Sequence, residues 1–415
     1  MEKQVKYTCI KELKEPGAPI IIVSLATEAE AIANACRDNN IDVTAFCDNE
    51  RRKLNKPYWG LEVIHTPDLQ KRFPKARLII AHYNLQDRVD ELTELGYSEF
   101  YSPLELLRSY DVNKHQHLQE PIISQSYMEN KISICKKSHE LYFDDTKTHL
   151  RSLDIMITTK CSMKCESCAN LMQYYIDAKN TDHEVVSAVE TINSNVDAIS
   201  EFRIIGGEPL MNKDWANIVN GIIEKDKNRN IFIYTNGTIN PRDEQLESFK
   251  GMNVQFYITD YGKHSRNIDK LEANLKKHKI NYMRKPADYW VDCSSIRQHN
   301  RTAKENTTVF KECCAKKLFT LLNGKLYSCP FIANAANLKA IPNNPANYVD
   351  LSANDKDLKK KIRKLVKMEK FFPACDFCDG RPTDPKSAKV YDGSGMITPA
   401  LQTPNKKPIS YTKYK

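Results

Sequence analysis

The sequence predicts an α/β protein: a doubly wound first domain, then a partial parallel barrel, then a small hairpin-and-helix domain rich in cysteine. Three observations predict it. Short apolar runs alternate with amphipathic stretches in residues 1–110 and again in residues 151–290. Glycine, asparagine and cysteine gather just after the apolar runs of the second series. Eight of the thirteen cysteines fall in tight spacings beyond residue 160. With 415 residues, 41% hydrophobic and 28% charged, the chain is long enough for two or three cores and has a globular composition.

In the first series, residues 19–24 read as a buried strand, 27–39 as an alanine-rich helix and 41–48 as a second strand ending in Asp48. Strands at 77–82 and 98–101 repeat the pattern around a helix at 86–95. That is a doubly wound, Rossmann-like domain over 1–110. Asp48 stands where such folds hold a ribose, but the first turn has no glycine, and Glu28 and Glu30 would repel a pyrophosphate. A docking or structural role is therefore expected. Together with a short strand at 59–64, the segment resembles the first domains of sugar-nucleotide acetyltransferases and other surface-polysaccharide proteins. Residues 111–150 read as a linker with one helix.

In the second series, strands are expected at 153–157, 201–205, 230–235, 254–259 and 281–284, with helices at 182–199, 213–227, 242–249 and 267–279 between them. Five such steps curl into an open barrel with its chemistry at the carboxyl ends of the strands. The loops 161–168, 206–209, 236–237 and 260–262 then share one rim.

Cys161, Cys165 and Cys168 form a C-x3-C-x2-C loop directly after the first strand. Three thiolates on one loop can hold three corners of an iron-sulfur cube and leave the fourth iron open. Zinc is the alternative, although zinc loops usually pair C-x2-C with a second pair or two histidines, and no histidine lies near before His183. Gly206-Gly-Glu-Pro209 follows at the next strand end. On these two motifs residues 151–290 resemble the radical SAM enzymes.

That resemblance implies a 4Fe-4S cluster that chelates S-adenosylmethionine and an electron donor such as flavodoxin or ferredoxin. It implies that Gly206, Gly207, Glu208 and Pro209 meet the methionine moiety, and that Asn236 and Thr259 match rim contacts to ribose and substrate. Arg284 would pair with the methionine carboxylate or with a surface acid. The family's usual aromatic before the third cysteine is Ser167 here, so Tyr174 or another rim residue would take its place. Reductive cleavage would give methionine and a 5′-deoxyadenosyl radical, which abstracts hydrogen from the substrate.

Further on, Cys313, Cys314 and Cys329 flank two short strands that turn at Asn323-Gly324, and Cys375-x2-Cys378 follows a helix at 356–367. Four thiols make a closed site that by spacing suits zinc as well as a cluster. In this position they resemble a twitch domain, a shortened SPASM domain, over 291–380, with a tail at 381–415. This implies an auxiliary 4Fe-4S cluster held by Cys329, Cys375, Cys378 and one of Cys313 or Cys314. Cys293 is either a packed cysteine or a hydrogen donor to the far face of a substrate radical.

The net charge of +9 is spread along the chain, which argues against nucleic acid. No apolar stretch has the length of a membrane span, and the first residues lack the apolar core of a signal peptide, so a cytoplasmic protein is expected. The resemblances together imply a small-molecule substrate, a carbohydrate or nucleotide sugar oxidised or epimerised in surface-polysaccharide synthesis. Peptide or protein modification is the enzymatic alternative, against which no winged-helix pattern precedes the barrel. A zinc-stapled binding protein is the non-enzymatic one.

Overall fold

The computed structural model describes residues 4–414 apart from 8–9, 26, 50–53, 55–56, 83–84, 116–124, 143, 145, 182–183, 288–289, 353–354, 382–394, 397 and 404–410. The chain forms two compact units, residues 1–147 and 148–415.

The first unit is a six-stranded parallel sheet in the order β1-β6-β5-β2-β3-β4, built from β1 (Gln4–Tyr7), β2 (Ile20–Val23), β3 (Val43–Asp48), β4 (Val63–His65), β5 (Arg77–Ile80) and β6 (Glu99–Ser102). All four residues of β2 are buried, as a strand covered on both faces requires. Helix α1 (Ile10–Lys14) precedes β2, and α2 (Thr27–Asp38) buries an alanine-rich face behind it. Helices α3 (Leu69–Arg72) and α4 (Leu85–Glu94) fill the later crossovers, and α5 (Leu104–Arg108) follows the last strand. The Asp48 carboxylate accepts the Leu25 N–H at 2.8 Å, across the turn where Ser24 takes φ 90°. It thus closes the strand-helix turn. Within the expected linker, helix α6 (Gln125–Tyr142) packs against α2, α4 and α5 as part of this unit. Its buried Tyr127, Met128, Ile132 and Cys135 explain why the unit reaches beyond residue 110.

The second unit contains the five expected parallel strands, β7 (His149–Met156), β8 (Ala198–Ile205), β9 (Ile231–Thr235), β10 (Val254–Asp260) and β11 (Asn281–Pro286), adjacent in chain order. Between them run α7 (Val185–Asn193), α8 (Trp215–Lys225), α9 (Asp243–Glu247) and α10 (Ile268–Lys277). The residue Asp182, where the first of these helices was expected to begin, lies outside the described residues. Short β12 (Val291–Asp292) then pairs with a segment of the tail.

The expected hairpin, β13 (Phe319–Leu322) and β14 (Lys325–Tyr327), turns with Asn323 at φ 48° and Gly324 at φ 70°, the two positive values a type I′ turn needs. It does not form a separate layer. Strand β13 joins the edge of β7 in parallel and β15 (Tyr348–Asp350) extends the sheet to eight strands, which satisfies an edge that would otherwise stay unpaired. One apolar core runs from Leu150 through Phe331 to Cys378. Helices α11 (Ala303–Glu312), α12 (Pro330–Asn337) and α13 (Leu358–Val366) pack here, and β16 (Gly395–Met396) is the partner of β12. In α13, Leu358, Ile362, Leu365 and Val366 are buried, so its lysine run is a solvated helix face. Among the described residues no helix is long and apolar enough to cross a membrane.

Candidate functional site

The cysteine loop leaves β7 and is docked on the end of β8 by backbone bonds. Gly207 N–H donates to the Thr158 carbonyl at 3.1 Å, and Glu208 N–H to that of Lys160 at 2.8 Å. This contact needs both glycines. A Cβ at Gly206 would lie 2.5 Å from the Thr158 oxygen, and one at Gly207 would lie 2.3 Å from the Lys160 oxygen and 2.7 Å from the Cys161 Cβ. The glycines thus admit the thiol loop itself.

Glu208 is fully buried and fastens β8 to β9. Its carboxylate accepts from Thr235 Oγ1 at 2.9 Å, Asn236 N–H at 2.8 Å and Leu210 N–H at 3.2 Å. Burial pushes its pKa up to about 7, against the pull of those donors. Pro209 opens a buried single turn behind it. Asn236 donates from Nδ2 to Ser162 Oγ at 3.1 Å, with Cys161 Sγ at 3.9 Å, so the third strand end also grips the loop. Thr259 bonds the Tyr261 phenol. Arg284 is occupied by Asp260 at 2.7 Å and Glu272 at 3.0 Å, the acid-pairing alternative of the two its position allowed.

Burial is the larger cause that raises Cys161 and Cys165, and Cys168 adds to both electrostatically, as Cys165 does to Cys161. Each sulfur also meets a donor: Met163 N–H at Cys161, the amides of Asn170, Leu171 and Met172 at Cys168, and the Gln402 side chain at Cys165. Donors aimed at sulfur are what a metal-bound thiolate uses. Burial pushes the Cys165 pKa up to about 11, so at neutral pH the thiols are protonated and would release protons on binding metal.

Ser167 takes φ 55° and holds the loop to residues 292–294: it bonds Asp292 and accepts the Cys293 N–H at 3.1 Å. Tyr174 instead stacks edge-on with Tyr411. The aromatics that pack against the cysteines are Tyr261 and Trp290, 5.9 Å apart at 73°, with Trp290 Nε1 donating to the Glu166 carbonyl at 2.9 Å. Beside them Asp260, Tyr261, Gly262, Pro286, Ala287 and Pro399 line a cleft of about 330 Å³. Tyr289, next to Trp290, lies outside the described residues.

A second cavity is lined by Cys313, Cys329, Cys375 and Cys378 together with Phe310, Phe331, Phe372 and Arg381. Cys314 is not among its lining residues; its N–H donates to the Arg381 carbonyl at 2.7 Å. Cys329 caps α12, whose Phe331 and Ile332 amides favour its thiolate, and Gly380 N–H points at Cys378 Sγ at 3.4 Å. Arg301 Nη1 donates to the Cys378 carbonyl at 2.8 Å, and Asp376 accepts the Arg301 N–H at 2.7 Å. The buried Arg381 donates to the Ala169 carbonyl at 2.8 Å. Burial opposes its charge, and the thiols of Cys293, Cys378, Cys329 and Cys313 hold it up. Cys293 is itself buried, with Arg381 and Cys313 as electrostatic neighbours, and so groups with this set and not with the open cleft.

Among the described residues no three His, Cys, Asp or Glu side chains stand close enough to share one metal ion. Three thiols on one loop and four around the second cavity, with N–H groups aimed at several of them, suit a 4Fe-4S cluster at either site.

A family model described as the Radical SAM superfamily matches residues 155–259. A GTP 3′,8-cyclase of Clostridium acetobutylicum is 27% identical over 153 residues, 32% of this chain and 48% of that protein. A probable GTP 3′,8-cyclase of Methanococcus maripaludis is 30% identical over 95 residues, 22% of this chain and 30% of that one. The chain thus spans about half or less of these curated relatives. The solved structure of BtrN in complex with AdoMet and 2-DOIA is 18% identical, covers 58% of this chain and 96% of its own, and has a TM-score of 0.35. The matched segment holds the thiol loop, the Gly206–Pro209 turn and Asn236, and the family implies a 4Fe-4S cluster with S-adenosylmethionine. Over residues 155–259 the chain is thus similar to the Radical SAM superfamily.

Proposed function

We propose that this protein cleaves S-adenosylmethionine reductively and abstracts hydrogen from a carbohydrate or nucleotide sugar, for oxidation or epimerisation. The observation that carries the first half is the joining of the Cys161–Cys165–Cys168 loop to the ends of β8 and β9 through Gly207, Glu208 and Asn236. Cys161, Cys165 and Cys168 would hold the SAM-binding 4Fe-4S cluster, and Cys313, Cys329, Cys375 and Cys378 an auxiliary one. Bound there and reduced by an external electron donor, cluster and S-adenosylmethionine would supply a 5′-deoxyadenosyl radical.

The chain's own part is to place and shield. Gly206 and Gly207 keep the thiol loop against the strand ends, Glu208 holds the adjoining strand, and Tyr261 with Trp290 walls the loop with apolar surface that excludes water. The cleft at Asp260 lies beside that wall, where a polar substrate would be oriented. An auxiliary cluster held by the second thiol set would offer a substrate radical an electron acceptor, which favours net oxidation. Cys293 is not assigned the hydrogen-donor role, because its thiol is buried.

Support for a sugar substrate comes from the doubly wound first unit, which resembles surface-polysaccharide proteins and whose Asp48 is spent on Leu25. The test is a panel of nucleotide sugars and short cysteine- or serine-containing peptides incubated anaerobically with reductant. Substrate-dependent 5′-deoxyadenosine with a nucleotide sugar supports this reading; the same response only to peptides replaces it with peptide modification.

A further inference from the structure

The thiol loop has a partner that no motif announces. The segment 398–403 returns more than 230 residues along the chain to lie against it. Glu166 N–H donates to the Leu401 carbonyl at 2.6 Å and Thr403 N–H to that of Lys164 at 2.7 Å, a two-stranded bridge around Cys165 and Gln402. Ala400 is buried in the apolar nest with Met163 and Cys165.

Within this bridge the Gln402 side chain is fully committed. Its Oε1 accepts the Lys164 N–H at 2.7 Å, while Nε2 donates to the Ala400 carbonyl at 2.7 Å and to Cys165 Sγ at 3.4 Å. The orientation is fixed by chemistry, since a flipped amide would set NH₂ against the Lys164 N–H. One short side chain thus fixes the loop backbone and presents a donor to the middle sulfur.

We infer that Gln402 is a positioning residue of the first thiol loop, holding Cys165 in place and donating its amide N–H to the Cys165 sulfur when that sulfur binds iron. The inference rests on the proposed cluster at Cys161, Cys165 and Cys168. A hydrogen bond to a ligating sulfur stabilises the more negative, reduced cluster, so its loss makes reduction harder. Outer contacts of this kind are typically worth 10–100-fold in metal affinity or activity.

The test uses full-length protein in which Cys375→Ala and Cys378→Ala remove the second thiol set, so that iron and the electron paramagnetic resonance signal report the first loop. Gln402→Ala and Gln402→Met are compared with this parent for their reduction midpoint and for the rate at which a chelator strips iron. Gln402→Met is neutral and of similar length, removes the donor facing Cys165 without adding a charge, and carries the test alone if Gln402→Ala does not fold.

The inference predicts a midpoint shifted to more negative potential, about tenfold in the reduction equilibrium, with iron lost roughly tenfold faster. A parental midpoint together with parental iron retention overturns it. A parent that binds no iron fails the cluster reading itself and is told apart by that result.

Discussion

Replacing Gly207 by alanine should loosen the thiol loop without touching a thiol. The added Cβ would sit 2.3 Å from the Lys160 carbonyl oxygen, 2.7 Å from the Lys160 carbonyl carbon and 2.7 Å from the Cys161 Cβ. An ordinary contact begins near 3.4 Å, so the loop must retreat by about 1 Å. The atoms in the way are backbone and the root of a cysteine, which cannot swing aside. Overpacking of this kind costs ~3 kcal/mol, at the upper end of its usual range. For a unit of this size that is roughly 6–12 °C in Tm, at 2–4 °C per kcal/mol.

The control is Gly221→Ala in α8, where the new methyl meets Val186 Cγ2 at 3.0 Å, a side-chain tip that can move, and alanine gains about 1 kcal/mol of helix propensity. Differential scanning calorimetry of the metal-free protein, followed by iron determination after anaerobic reconstitution, reads both effects. Gly207→Ala should lower Tm and first-loop iron, while Gly221→Ala changes neither by much. Equal behaviour of the two variants would refute the argument that these glycines exist to admit the loop.

Two further outcomes follow from the same geometry. Cys313 lines the second cavity and Cys314 does not, so Cys313→Ala should lose about four irons per chain, and Cys314→Ala should keep them. The reverse pattern in reconstituted iron would reassign the ligand. The buried Glu208 has its folded pKa raised to about 7, so its contribution to stability is fully present below its ordinary value of 4.5 and is lost as pH rises through about 7. Against Glu208→Gln, the metal-free protein should gain relative stability on acidification across that window, by ~3 kcal/mol at 1.36 kcal/mol per pH unit. Denaturant titrations at pH 4.5 and pH 8 measure it; a difference of the opposite sign would mean that the three donors keep the carboxylate ionised.

The repeating strands and helices of both units were legible because each buries an apolar run of the right period, and Asn323-Gly324 marked its hairpin for the same local reason. The site was legible only where its signal is local. The C-x3-C-x2-C spacing and Gly206-Gly-Glu-Pro209 lie on single loops, and the structure brings them together. What escaped is non-local. Gln402 and Arg381 reach the cysteine loop from more than 200 residues away, and neither carries a periodic pattern or a spacing. Arg284 could be read two ways because Asp260, Asp269 and Glu272 gather around it only when β10, β11 and α10 pack. Tyr261 and Trp290, not Tyr174, back the thiols because the loop turns at Ser167 toward residues 290–294. The hairpin joined the barrel sheet because β7 had an edge to fill, a demand written in no stretch of the hairpin itself.

On the proposed reading, the Cys161, Cys165 and Cys168 loop makes this chain a reductive cleaver of S-adenosylmethionine. Anaerobically reconstituted protein, given S-adenosylmethionine and dithionite, should form 5′-deoxyadenosine and methionine, and the triple variant Cys161→Ala, Cys165→Ala, Cys168→Ala should form neither while keeping the second thiol set's iron. Equal 5′-deoxyadenosine from the triple variant, or stoichiometric zinc with no iron in the parent protein, would contradict it.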